Sequence, residues 1–169
     1  MPYQAKAEKV LIPNKIMVFS TGTWTHLTNT GIPYASKAAA AGTSKILIPI
    51  SLPSKDGQYG IKLTAIKVPI RVATAALVST PTAELYKREM LAVAGASADI
   101  VASTITITST GLTLTADAQD RLTTHTISST EWDYSSSYDI DYNLILTMNA
   151  ATTSAIRIYD AIAYYEVLV

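Results

Sequence analysis

The chain has 169 residues, no cysteine, a hydrophobic fraction of 49%, a charged fraction of 15% and a formal net charge of zero. That length suits one domain with a core of its own, the missing cysteine excludes disulfides and thiolate metal sites, and the absence of a basic excess argues against sequence-independent binding of nucleic acid. Charge is sparse beside the roughly 25% of ordinary soluble domains, so a partner subunit is expected to cover part of the surface.

The charges are also unevenly distributed. Residues 1–90 hold eleven Lys/Arg and four Asp/Glu, whereas residues 91–169 hold two and nine. Two readings are open: separate basic and acidic surfaces that meet between subunits, or strands of both halves interleaved so that the charges mix. The opening residues lack the apolar core of a signal peptide, and no run approaches the roughly 18 apolar residues of a membrane span. Neither secretion by the general route nor membrane insertion is expected.

In chain order, residues 1–20 read as an N-terminal arm or edge strand, with VLIP and IMVF split by Pro13-Asn14. Residues 21–169 read as a single sandwich domain. A Thr-rich strand spans Thr21 to Thr28, followed by a loop from Asn29 to Ser44 whose alanines allow one helical turn before Gly42 ends it. Lys45 to Ser51 is a strand carrying a proline, and Leu52 to Gly57 a turn. The long tract that follows shifts its apolar face from Ile61, Leu63 and Ala65 to Ile66, Val68 and Ile70, which predicts a β-bulge, with Pro69 at a bend or an edge. TAELYKREM suits an edge strand better than a helix. Thr104 to Thr115 alternates threonine with aliphatic residues about Ser-Thr-Gly and predicts a β-hairpin. ADAQD is then a turn, RLTTHTISS a strand, EWDYSSSYDID a polar and aromatic loop, DYNLILTMN a core strand and AIRIYDAIAYYEVLV a closing strand. With about eight to ten strands and little helix, the fold class is all-β, an antiparallel two-sheet β-sandwich of jelly-roll type with an extended N-terminal arm.

No catalytic residue is expected. His26 and His125 lie inside Thr-rich strands without a nucleophile elbow nearby. The acidic loop supplies weak metal candidates, Glu131, Asp133, Asp139 and Asp141, which suit a hard cation such as Ca2+ but lack the EF-hand spacing; a solvated loop without any cofactor is the favoured alternative. Trp132, Tyr134 and Tyr138 in the same loop are candidates for a subunit interface or for glycan stacking beside carboxylates.

The N-terminal arm, the Thr/Ala/Ser-rich strands, the SLPSKDGQYGIKLTAIKVPIRV tract and the IRIYDAIAYYEVLV strand resemble β-sandwich structural proteins of bacteriophages and related viruses, such as head decoration proteins and small head- or tail-fibre modules. The resemblance is one of style and carries no motif. It implies a non-enzymatic virion component, a homo-oligomer, expected to be a trimer, docked on capsid or tail proteins. The alternative is a carbohydrate-binding module that recognises a host glycan; a filament subunit and a hydrolase rank lower.

Overall fold

The computed structural model describes residues 4–53, 60–73, 75–91, 99–114, 119–128, 132–133 and 138–169. Thirteen strands are found among them: β1 (Ala5–Ile12), β2 (Val18–Phe19), β3 (Trp24–Asn29), β4 (Ile32–Lys37), β5 (Gly42–Ser51), β6 (Gly60–Val72), β7 (Thr82–Leu91), β8 (Asp99–Ile105), β9 (Ile107–Thr110), β10 (Gln119–Ile127), β11 (Tyr138–Ala150), β12 (Ile156–Tyr159) and β13 (Ala161–Leu168). One turn of 3-10 helix, Asn14–Ile16, joins β1 to β2.

The strands form two antiparallel sheets packed face to face. In the larger, β6 is central: β10 and then β9 lie along one edge, while β12 and β13 follow each other along the other. Beyond β12 come β4 and β3, and beyond β13 comes β1. The smaller sheet runs β2-β5-β11-β7-β8. The chain passes repeatedly from one sheet to the other, as a jelly roll requires. The N-terminal segment pairs along the whole of β13 within its own domain. Most pairings join a strand of residues 1–90 to one of residues 91–169, the exceptions being β2 with β5, β3 with β4 and β9 with β10, so the two charge-biased halves interleave in the sheets.

Period-two alternation places the core. Ile46, Ile48 and Ile50 of β5 and Leu144, Leu146 and Met148 of β11 are fully buried, facing Ile66, Val68, Ile70 and Val72 of β6 and Ile156 and Ile158 of β12. Each such side chain contributes about 1.5–3 kcal/mol through burial. The expected bulge is present. Pairing of β6 with β13 slips at Tyr164/Tyr165, where Ala65 and then Leu63 are the partners and Thr64 is the extra residue. A second offset lies at Asp160, because Ile158 pairs with Ile70 but Ile162 with Lys67.

Two of the three strand prolines, Pro49 and Pro69, sit where a ladder is incomplete. Pairing of β6 with β12 and β13 skips Val68 and Pro69. β2 reaches only Ile46 and Leu47 of β5, leaving that edge open at Pro49. A residue without an N–H is tolerated at such places; Pro69 is thus neither a bend nor on an edge strand but opposite a gap. TAELYKREM is a strand, β7, as expected, but it lies between β11 and β8 and not at an edge.

The alanines after Lys37 form no helical turn: β4 ends at Lys37 and β5 begins at Gly42. The Thr hairpin is a second correction. β8 lies in the smaller sheet and β9 in the larger, and β9 pairs with β10, matching Thr108 with Thr126 and Thr110 with Thr124. The Gly111 turn exists, with φ at 75° and Leu122 O only 2.6 Å from where a Cβ would stand. It leads not into a returning strand but into Leu114, which is fully buried and accepts a backbone hydrogen bond from Leu77. Threonines on one side of a strand pair equally well with threonines from elsewhere, so local alternation did not determine the partner.

Candidate functional site

The loop singled out by sequence is divided between two places. Asp133 bridges to Ile61 through both backbone groups, extending the larger sheet past β10. Paired residues share a face, so the Asp133 carboxylate points inward with Ile61, whereas Trp132 beside it meets Lys62 on the outside, the ammonium lying 4.7 Å from the ring centre. Asp133 accepts from Lys87 Nζ at 2.5 Å and from the Tyr142 hydroxyl. These three groups tie the two sheets together beside a cleft of about 650 Å³ at one end of the sandwich, also lined by Ser103, Thr106 and Ser128.

Asp141 lies on the opposite, outward face of β11. It is engaged by Arg88 Nη2 at 2.7 Å and by the Ser51 hydroxyl at 3.1 Å. The weak calcium candidates are therefore not brought together by the two acids whose side chains are described; each has a cationic partner of its own, on a different face. No group of three metal-binding side chains occurs among the described residues. Glu131 and Tyr134 lie outside the described residues, as do the side chains of Tyr138 and Asp139, which are backbone members of β11.

Both histidines are hydrogen-bonded within the fold. Thr123 donates its hydroxyl hydrogen to Val68 O at 2.9 Å, so its oxygen accepts from His125 Nε2 at 3.1 Å, and His125 Nδ1 is left to accept from Ser109 Oγ at 2.8 Å. The Ser109–His125 contact has the spacing of a nucleophile and its base. However, the imidazole is fully buried and oriented by a hydroxyl instead of a carboxylate, which is not the arrangement of a hydrolytic triad. Burial pushes its pKa down to about 4. His26 Nδ1 donates to Asn14 Oδ1 at 3.0 Å, beside the Phe19 ring.

The outer face of the larger sheet holds what sequence reading missed. Residues alternating with the core of β6, β12 and β13 are Lys62, Lys67, Pro69, Arg71, Arg157, Tyr159, Ile162, Tyr164 and Glu166. Cross-strand pairing adds Tyr34 beside Tyr159 and Leu27 beside Tyr34. The Tyr34 and Tyr159 ring centres are 5.7 Å apart; the Arg157 guanidinium lies 5.1 Å from the Tyr34 centre, and Lys67 Nζ lies 4.9 Å from that of Tyr164. All three cation–π contacts found among the described residues are therefore on this one face. A groove of about 580 Å³ runs across it, with Pro69, Leu122, Tyr159 and Ile32 as apolar walls and Arg71 and Asp120 at its margin. The alternation in KVPIRV and IRIY pointed these side chains outward; which strands stand next to each other was not written in it.

No protein-family model and no curated protein matches the sequence. Among solved structures, the chain is similar to a family 30 carbohydrate-binding module, with TM-score 0.39 and 12% identity over 93% of this chain and 87% of that one. It is also similar to a family two carbohydrate esterase from Cellvibrio japonicus (TM-score 0.39, 5% identity, 98% of this chain) and spans only 36% of that enzyme. The enzymatically active domain of a bacteriophage CBA120 tailspike protein gives TM-score 0.31 and 8% identity, over 98% of this chain and 19% of that one. Likeness at this level assigns no residue a role, and function is read from the chain's own surface.

Proposed function

We propose that the chain is a non-catalytic carbohydrate-binding β-sandwich whose platform is the outer face of the larger sheet. The observation that supports it is the gathering of Trp132, Tyr159 and Tyr164 on one solvent-facing sheet surface, two of them with a cation against the ring, and Tyr159 beside a largely buried Tyr34 that carries the Arg157 guanidinium. An aromatic ring offers an apolar plane to the C–H face of a sugar, and adjacent cationic donors meet its hydroxyls. Tyr159 and Tyr164 lie along one edge of β6 beside positions about four residues apart on it, about 13 Å at about 3.3 Å per residue, a span that suits an oligosaccharide chain over a single sugar. Trp132, the glycan candidate of the aromatic loop, extends the platform at its far end.

Tyr159→Ala and Trp132→Ala are each expected to weaken binding on a glycan array by about tenfold, equivalent to about 1.4 kcal/mol, without moving the melting temperature by more than a few degrees. Full binding by both variants would remove the platform.

A second reading, an assembly subunit of the virion kind, is favoured by a different observation. Leu11, Ile16, Val18, Leu27 and Ile32 are all about half exposed or more, around the corner where β1 crosses to β2 and on the neighbouring β3–β4 hairpin. Light scattering separates the two readings. The carbohydrate-binding reading expects the 18.1 kDa mass of one chain; a stable trimer that Val18→Lys dissociates would establish the assembly reading instead.

A further inference from the structure

The outer face of the larger sheet is charged as well as aromatic. By cross-strand register and alternation it carries Lys9, Lys62, Lys67, Arg71 and Arg157, against the carboxylates of Asp120 and Glu166. Both carboxylates are already engaged, Glu166 with Lys62 at 2.9 Å and Asp120 with Arg71 at 3.4 Å. A chain of zero net charge thus presents a cationic surface at the place where its rings are gathered.

The densest point is Arg71 and Arg157, which are direct partners across β6 and β12. Like charges placed directly opposite each other destabilise a sheet, and nothing in the core requires them, since both point away from it. Arg157 has no ion-pair partner among the described residues; its guanidinium rests on Tyr34, and Ser36 is its neighbour on β4. Arg71 reaches Asp120 through Nη1 only, and its buried Nε has no hydrogen-bond partner among the described residues. The two residues stand side by side across the strands, Arg157 leaning toward β4 and Arg71 toward β10, and the planar fork of each guanidinium can grip an oxyanion through two parallel N–H···O bonds. Arg71 lines the groove together with Tyr159, Pro69 and Leu122, so an oxyanion held there lies beside the apolar plane on which a sugar would lie.

We propose that this surface selects acidic polysaccharides, and that Arg71 and Arg157 together form the subsite for the carboxylate or ester-linked sulfate of the glycan. The proposal rests on the carbohydrate-binding reading and sharpens it from sugar in general to an anionic chain.

The test is calorimetric titration of the full chain with two matched pairs: polygalacturonate against its methyl ester, and dextran sulfate against dextran. The expected result is at least tenfold tighter binding of one or both acidic members than of the neutral counterpart. Arg71→Gln and Arg157→Gln should each remove most of that preference, weakening the acidic members far more than the neutral ones. The first pair reports a carboxylate subsite and the second a sulfate subsite. Arg157→Gln should also keep or raise the melting temperature, because it removes the like-charge opposition. Equal binding within both pairs overturns the anionic subsite while leaving the platform in place; no binding to any of the four overturns both. A preference that survives both substitutions, or is matched by a single-stranded oligonucleotide, overturns the subsite as general attraction of polyanions.

Discussion

Acidification from pH 7 to pH 4 should cost the fold about 3 kcal/mol through His125 alone. Its pKa is held at about 4 in the folded chain by burial, against an ordinary value of 6.5, and each unit of difference corresponds to about 1.4 kcal/mol. The sign follows from proton counting: between these two values the unfolded chain binds a proton that the folded chain does not, so stability rises with pH across that window. The contribution is complete above pH 6.5 and is lost as pH falls toward 4. Urea midpoints measured from pH 7 to pH 4 should decline steadily for the native chain. In His125→Gln the amide can donate to Thr123 and accept from Ser109, and the decline over this window should largely disappear at a cost of about 1 kcal/mol at pH 7. An unchanged slope in that variant would assign the acid sensitivity to other groups.

Asp160→Ala is the second large effect, expected to cost about 3 kcal/mol or more. One carboxylate oxygen, Asp160 Oδ1, accepts from the Asn14 backbone N–H at 2.8 Å and from Asn14 Nδ2 at 2.7 Å, and Asn14 is buried. Hydrogen bonds to a charged acceptor contribute about 1.5–3 kcal/mol each, and removing the acceptor leaves two buried donors unpaired. Asp160 also occupies the offset between β12 and β13, so this contact fastens the turn after β1 to the point where the central ladder changes step. Asp160→Asn keeps a neutral acceptor and should cost about 1 kcal/mol, and combining Asp160→Ala with Asn14→Ala should cost much less than the sum of the two. Chemical denaturation of the four chains decides this; additive losses would mean that the two residues do not act on each other.

The sandwich was legible because its signals were local. The short apolar runs KILIPI and NLILTM marked two strands, and the change of face in LTAIKV located a bulge to within a residue. The Thr104 to Thr115 segment was misread because its alternation defines two faces but no partner; a buried Leu114 and the Thr108–Thr126 pairing depend on strands far away in sequence. The candidate surface was partly visible through Trp132, an unusual residue in a polar loop. Tyr34, Tyr159, Arg71 and Arg157 were invisible as a group, because only the order of strands in the sheet brings residues 34, 71 and 157 side by side. Asp133 and Asp141 looked like companions along the chain, yet strand pleating sends them to different faces.

The pairing of β1 with β13 begins at Ala5 and Leu168, and the central strand β6 takes its neighbours from residues 119–126 and 156–168. Contacts of such sequence separation place this chain among the slow folders, on the order of milliseconds to seconds. While the search lasts, the Val- and Ile-rich β6 has both edges open, and unpaired edges of that kind are where chains meet each other and aggregate. The prolines at 49 and 69 and the charges at 62, 67 and 71 lie in or beside those hydrophobic runs, and they serve the unfinished chain as guards before they serve the finished one.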